Sequence, residues 1–126
     1  YPSICCVLDV HRDAADDGAG GAAAFSCTVG GEKSAQLMLV VGTDAGGLPH
    51  PNWQENLALA VRVQARLTRT DPSLCRPIDL RTERFNQHAT AGSLLVEVGA
   101  SGNTMPEALA AAGYFAEALA DALEGG

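Results

Sequence analysis

The chain has 126 residues, 47% hydrophobic and 18% charged, a composition that fits one globular domain able to bury a core without metal or disulfide staples. A formal net charge of −7 provides no field to attract nucleic-acid phosphates or anionic lipid, which disfavours nucleic acid as a partner. No apolar run approaches the ~18 residues of a membrane span and no charged-then-apolar leader opens the chain, so any targeting segment is expected outside this sequence.

Tyr1, Pro2 and Ser3 precede the first predicted strand without an initiating Met, and the chain is expected to be a piece of something longer. Ile4 to Asp13, ICCVLDVHRD, reads as a buried strand that ends on a polar cluster of Asp9, His11, Arg12 and Asp13. In open α/β sheets ligands bind outside the carboxyl ends of the strands, so this cluster stands where function is expected. Ala14 to Gly21 mixes acidic residues with turn formers and reads as an exposed loop. The runs Ala22 to Val29 and Lys33 to Val41 flank Gly30-Gly31, which predicts a hairpin whose second strand turns wholly apolar, as a central strand does. Gly42 to His50 is a glycine- and proline-containing loop.

Asn52 with Glu55 three residues on predicts a capping box that opens a helix. Trp53, Leu57, Ala60, Val61 and Leu67 recur at helical spacing on its packing face, and Asp71-Pro72 ends it. Asn56, in or near its first turn, is either a surface or capping residue or lends its amide to the site. Pro77 to Arg81, within Cys75 to Arg84, is a candidate short edge strand, and Phe85 to His88 a loop. Ser93 to Val98 is the next strand and carries Glu97 inside an apolar run, where an unpaired carboxylate is costly unless it meets a metal, a cation or a water-filled cleft. Thr104 and Glu107 predict a capping box around Pro106, opening a last helix with Leu109, Ala112, Phe115, Ala116, Leu119 and Leu123 on one face and Gly125-Gly126 at its end. The whole reads as α/β: a central, mixed and mostly parallel sheet flanked by helices. The strands that carry His11 and Glu97 are expected side by side in it.

Cys5, Cys6, Cys27 and Cys75 contain no CxxC pair and read as small buried hydrophobes rather than a zinc knuckle or a disulfide framework. No GxSxG elbow, phosphate-binding glycine loop with lysine, or HExxH occurs. What remains is a histidine on one strand and a glutamate on another, the ingredients of a hydrolytic zinc site in which imidazole binds metal and carboxylate handles the proton of water. The plain alternative is a histidine with a structural hydrogen bond in a small α/β domain.

The segments VLDVHRD, LMLVVGTD, HPNWQENLALA, RFNQH and LLVEVGASGNTMPEAL, in this order, resemble the sporulation stage II protein P family of zinc-dependent N-acetylmuramoyl-L-alanine amidases. The wider amidase-3 superfamily has the same skeleton, a strand bearing a metal-binding histidine and later a glutamate followed six positions on by an asparagine, as Glu97 and Asn103 stand here. The resemblance implies an amidase-3-like or phosphorylase/hydrolase-like fold, of which residues 1–126 are the carboxyl-terminal part of one catalytic domain. It implies His11 as a zinc ligand and Glu97 as the catalytic general base and then acid, with Arg12, Asp13 and Asn103 standing in its motifs; these three and Asn56, the last from its place near the helix start, are the candidate positioning residues. Two further zinc ligands, a histidine and a glutamate, are implied upstream of Tyr1, and neither His50 nor His88 matches a family ligand. Peptidoglycan is the implied substrate, the sporulation stage II protein D and M engulfment machinery the implied partners, and an extracytoplasmic place with a membrane anchor outside this sequence the implied location. The competing reading is a truncated or non-catalytic module that binds peptidoglycan or a partner.

Overall fold

The structure, a computed structural model, describes residues 3–83, 85 and 87–125; Tyr1, Pro2, Gly126 and, from the RFNQH motif, Arg84 and Asn86 lie outside the described residues. In chain order it forms β1 (Val7–Asp13), β2 (Ser26–Val29), β3 (Glu32–Ala35), β4 (Leu37–Gly42), α1 (Trp53–Thr70), β5 (Asp79–Arg81), a 3₁₀ turn (Gln87–Ala89), β6 (Ser93–Ala100) and α2 (Met105–Glu124). The main sheet has the order β1-β6-β4-β5, with β1 parallel to β6, β5 parallel to β4, and β4 antiparallel to β6. The expected mixed, mostly parallel α/β architecture is the one observed.

Alternation along β6 and β4 decides which face is covered. Leu94, Val96 and Val98 of β6 and Leu37, Leu39 and Val41 of β4 join Leu59, Val63 and Leu67 of α1 and Phe115 and Leu119 of α2 in one core. Each fully buried leucine there contributes about 1.5–3 kcal/mol relative to exposure. The intervening residues Met38, Val40 and Leu95 form a smaller cluster on the opposite face, against Phe85. Both helices therefore lie on one side of the sheet, and the other side is left to the groove described below.

The last helix starts as its sequence predicts. The Thr104 hydroxyl accepts from the Glu107 amide at 3.3 Å while the Glu107 carboxylate accepts from the Thr104 amide at 3.1 Å, and a proline stands in the first turn. The Gly-Gly hairpin is also present, joining β2 to β3 in a separate two-stranded sheet, with Gly30 and Gly31 both at positive φ (58° and 85°) as a tight turn between twisted strands requires.

Several expectations need correction, among them that of buried cysteines, since Cys5 is exposed and Cys6, Cys27 and Cys75 are only partly buried. The first strand is not buried: β1 is an edge strand that the helices leave largely uncovered, and Leu8 and Val10 are 40% and 63% exposed. The run Lys33 to Val41 is not one strand, because Gln36 passes the chain from the hairpin to the main sheet. Its amide donates to the Phe25 carbonyl at 2.7 Å and its carbonyl accepts from Gly99 at 2.8 Å. Ala22 to Val29 shortens to Ser26–Val29, with Ala22 held in an isolated bridge to Asp16. Asn52 makes no side-chain cap, since its backbone (φ −101°, ψ 14°) is not in the extended conformation that aims a cap oxygen at the helix amides, and Val61 is exposed while Asn56, Leu59 and Val63 form the buried stripe of α1. On α2 the buried stripe runs through Glu107, Ala111, Phe115, Ala118, Leu119 and Ala122, whereas Leu109 and Leu123 are exposed.

Candidate functional site

The site is built from the face of the sheet that the helices leave open. β1 and β6 run parallel with His11 directly opposite Glu97, and Met38 of β4 stands opposite Glu97 on the other side. Register partners in a sheet point to the same face, so one imidazole and one carboxylate share a mouth. A groove of about 720 Å³ opens over them. Asp9, His11 and Glu97 form one wall, Val40 and Leu95 are apolar lining, and Arg81, Thr82 and Glu83 come from the end of β5 and the turn after it.

Glu97 is only partly exposed, and its Oε2 is buried without a hydrogen-bond partner among the described residues. Burial first and the Asp13 carboxylate second push its carboxyl above the ordinary glutamate range, against smaller opposing effects from His11, Arg81 and Arg76. The group is therefore biased toward accepting and holding a proton. His11 Nε2 lies 2.6 Å from Asp9 Oδ1, and both side chains are about half exposed (48% and 50%). A carboxylate on one ring nitrogen fixes the ring and leaves Nδ1 as the nitrogen for another partner.

The other expected residues stand around this mouth without lining it. Arg12 donates from Nη2 to the Asn103 carbonyl at 2.9 Å, clasping the end of β1 to the start of α2. Asp13 accepts from Arg76 at 3.2 Å, and its own carbonyl accepts from the Ser101 amide at 2.9 Å. Asn103 is 5% exposed; its Oδ1 accepts from the amides of Phe25 and Ala100, and its Nδ2 donates to Ser26 Oγ and Glu107 Oε1. Asn56 is fully buried and spends its amide on the Gln87 carbonyl and the Ser93 amide, at 2.9 and 3.0 Å. These two asparagines act on the site only through the backbone they hold. His50 is buried beside a separate hollow next to Asp44 and Leu48, and His88 is exposed on the 3₁₀ turn.

Sequence reasoning placed Asp9 in the polar cluster without a role of its own and did not mark Arg76 or Arg81 for the site. Asp9 was findable, because two-residue spacing from His11 on a strand puts both on one face. The arginines arrive from segments distant in sequence, and no local pattern marks them. For a metal, one imidazole with an orienting carboxylate and one unpartnered carboxylate oxygen fit part of a zinc site. Among the described residues no group of three His, Cys, Asp or Glu side chains stands close enough to hold a metal ion, so they do not form a complete three-ligand site.

The model of the family Stage II sporulation protein P (SpoIIP) matches residues 1–120. The chain belongs to that family. Neither a curated protein nor a solved structure matches it. Membership gives the chain a sporulation-related role, in a family associated with peptidoglycan hydrolysis. The segments quoted for the resemblance fall inside the matched span, from the strand that bears His11 to the capping box of α2. No helix among the described residues is long and apolar enough to cross a membrane.

Proposed function

We propose that this chain is the carboxyl-terminal part of a catalytic domain that hydrolyses the amide between N-acetylmuramic acid and the L-alanine of peptidoglycan stem peptides during sporulation. The observation that carries the reading is the direct pairing of His11 with Glu97 over a groove, in a chain of this family. His11, held by Asp9, supplies one zinc ligand, and the remaining ligands come from a segment outside this sequence. Zinc, when bound, lowers the pKa of a water and polarises a carbonyl. Glu97 accepts the proton of the attacking water and returns it to the departing L-alanine amine, a task suited to a carboxyl whose pKa is raised. Arg12, Asp13, Asn56 and Asn103 hold the backbone that carries these groups. The extracytoplasmic location, the membrane anchor outside this sequence and the sporulation stage II protein D and M partners belong to the same proposal.

The donor count favours a second reading for the chain by itself, a non-catalytic module that binds peptidoglycan or a partner. Zinc content and stem-peptide release, measured on the complete enzyme and its Glu97→Gln variant, separate the two. The amidase reading expects zinc and fold to be kept while turnover falls by a factor on the order of 10² to 10⁴. Near-normal release by the variant would remove Glu97 from the mechanism.

A further inference from the structure

Arg81 is the only Lys or Arg among the described residues that line the groove, and it stands on the wall away from His11 and Glu97. The register places it. Asp9 pairs with Leu95, Leu95 with Val40 and Val40 with Asp79, so these four residues form one row across the open face. His11, Glu97 and Met38 form the next row toward one end of the sheet, and Arg81, opposite Gly42, belongs to the next row toward the other. A cation thus faces Glu97 diagonally, with Leu95 and Val40 as apolar floor between them. Two strand spacings and four residues of rise separate their Cα atoms by roughly 16 Å.

Arg81 is fixed at both backbone and side chain. Its Nε donates to Asp79 Oδ2 at 2.6 Å, which turns the side chain back toward the middle row. Its carbonyl accepts from the amide and the hydroxyl of Thr43, each at 3.0 Å. A Cβ on Gly46 would stand 2.7 Å from the Thr82 carbonyl oxygen, so the loop after β4 lies directly on this segment. Asp9 holds His11 in the same way, from two residues back on its strand and also at 2.6 Å. Asp79 occupies only Nε. Nη1 and Nη2 of Arg81 make no hydrogen bond or ion pair with the described residues, and the side chain is 47% exposed. The groove therefore carries an oriented guanidinium whose outer edge is open to a ligand.

We infer that Arg81 is a specificity-determining residue that binds a free carboxylate on the residue following L-alanine in the stem peptide, on the leaving-group side of the scissile amide. The inference rests on the amidase reading of the groove. Two adjacent N–H donors in one plane match the two oxygens of a carboxylate, whereas the amino group of a carboxamide would set a donor against a donor. With the scissile amide at Glu97, two extended peptide residues add about 7 Å across the Leu95 and Val40 floor. That length and the reach of the two side chains together bridge the separation. The formal net charge of −7 repels an anionic ligand in general, so a preference for the carboxylate has to come from a local cation.

The test uses the complete enzyme and its Arg81→Gln and Arg81→Lys variants with two soluble probes, N-acetylmuramoyl-L-alanyl-D-glutamate and its diamide. Dissociation constants are measured by calorimetry on the zinc-free proteins, and KM and kcat on the zinc-loaded ones. The parent should bind the dicarboxylate roughly tenfold more tightly than the diamide and show that ratio in KM rather than kcat. In Arg81→Gln the ratio should fall to within about twofold, with Arg81→Lys between, since lysine keeps the charge without the fork. A ratio of two dissociation constants on one protein is insensitive to partial loss of folded material. A parent that binds neither probe or both equally, or an Arg81→Gln variant that keeps the parent's ratio, would overturn the inference. The zinc-free binding arm decides it even where neither probe is hydrolysed, a result that would count against the amidase reading instead. Hydrolysis of both probes with equal affinity would leave that reading standing and remove Arg81.

Discussion

A carboxyl shielded from water beside Asp13 binds its proton more tightly than one in solution, and this fixes the sign of what Glu97 does to stability. Between the ordinary glutamate range and the raised value, the native state holds more protons than the unfolded chain. Stability therefore falls as pH rises through that window and stays lower above it. Glu97→Gln removes the ionisable group while keeping its shape, so its thermal midpoint should exceed that of the parent at pH 8 and match it at pH values below about 4. A variant less stable than its parent at pH 8 would mean that the carboxylate is engaged by groups that stabilise its charge. A residue that costs stability in its charged form and is kept at the mouth of a groove has the character expected of a working group rather than a packing one.

That Glu97 faces a cleft was legible in the sequence because the expense of a carboxylate within an apolar strand is visible without coordinates. Arg76 and Arg81 were not, since each reaches the site from a segment far along the chain, and only the sheet order β1-β6-β4-β5 brings β5 and its flanks to the same face. Asn103 illustrates an intermediate case. The motif position was evident, but its use was not: it holds the beginning of β2, the end of β6 and the first turn of α2 with one buried amide.

At the scale of elements, this junction carries more than any single cap. Asn103→Ala leaves the amides of Phe25 and Ala100 without their acceptor and removes the donor to Glu107, so a loss of about 3 kcal/mol is expected from the usual cost of buried unsatisfied groups. Gly99 is tied to the same amide. It sits at φ 61°, and a Cβ there would approach Asn103 Oδ1 to 2.5 Å and Ala35 Cβ to 2.9 Å, so Gly99→Ala combines backbone strain with overlap and should cost about 2 kcal/mol or more. Urea unfolding of both variants at neutral pH checks the pair, and a loss below about 0.5 kcal/mol for either would show that the junction relaxes around it. The capping box of α2 was legible because its residues are three apart in sequence. The strand break at Gln36 was hidden, because an apolar run looks the same whether it stays in one sheet or passes between two. The packing face of α2 was misjudged for a related reason: Leu8 and Val10 with Ala112, Ala116 and Leu123 line a second, apolar groove that no helix covers, so helical spacing marked an apolar stripe without saying which part of it the core takes.

For the molecule as a whole, one asymmetry follows from the arrangement of its layers. The helices cover β4 and β6 from one side, β1 stands uncovered at the edge, and the face that carries His11 and Glu97 is open. An exposed edge strand offers unpaired backbone groups, and here it is joined to apolar surface at Leu8 and Val10. The chain by itself should therefore associate with increasing concentration, and Val10→Lys, which puts a charge on the edge at a 63% exposed position, should shift sedimentation velocity profiles toward monomer without changing the fold. The same openness governs metal. One imidazole, held by Asp9, leaves most of a zinc coordination shell to water, so the chain alone should retain less than one equivalent of zinc after gel filtration and should release no stem peptide. Association and metal retention are separable outcomes. If Val10→Lys yields a monomer that still carries stoichiometric zinc and hydrolyses peptidoglycan, then donors within this chain complete the site, and the assignment of the remaining ligands to a segment outside it is wrong. If zinc retention appears only in the associated form and vanishes with Val10→Lys, the donors are shared between copies across the edge of β1.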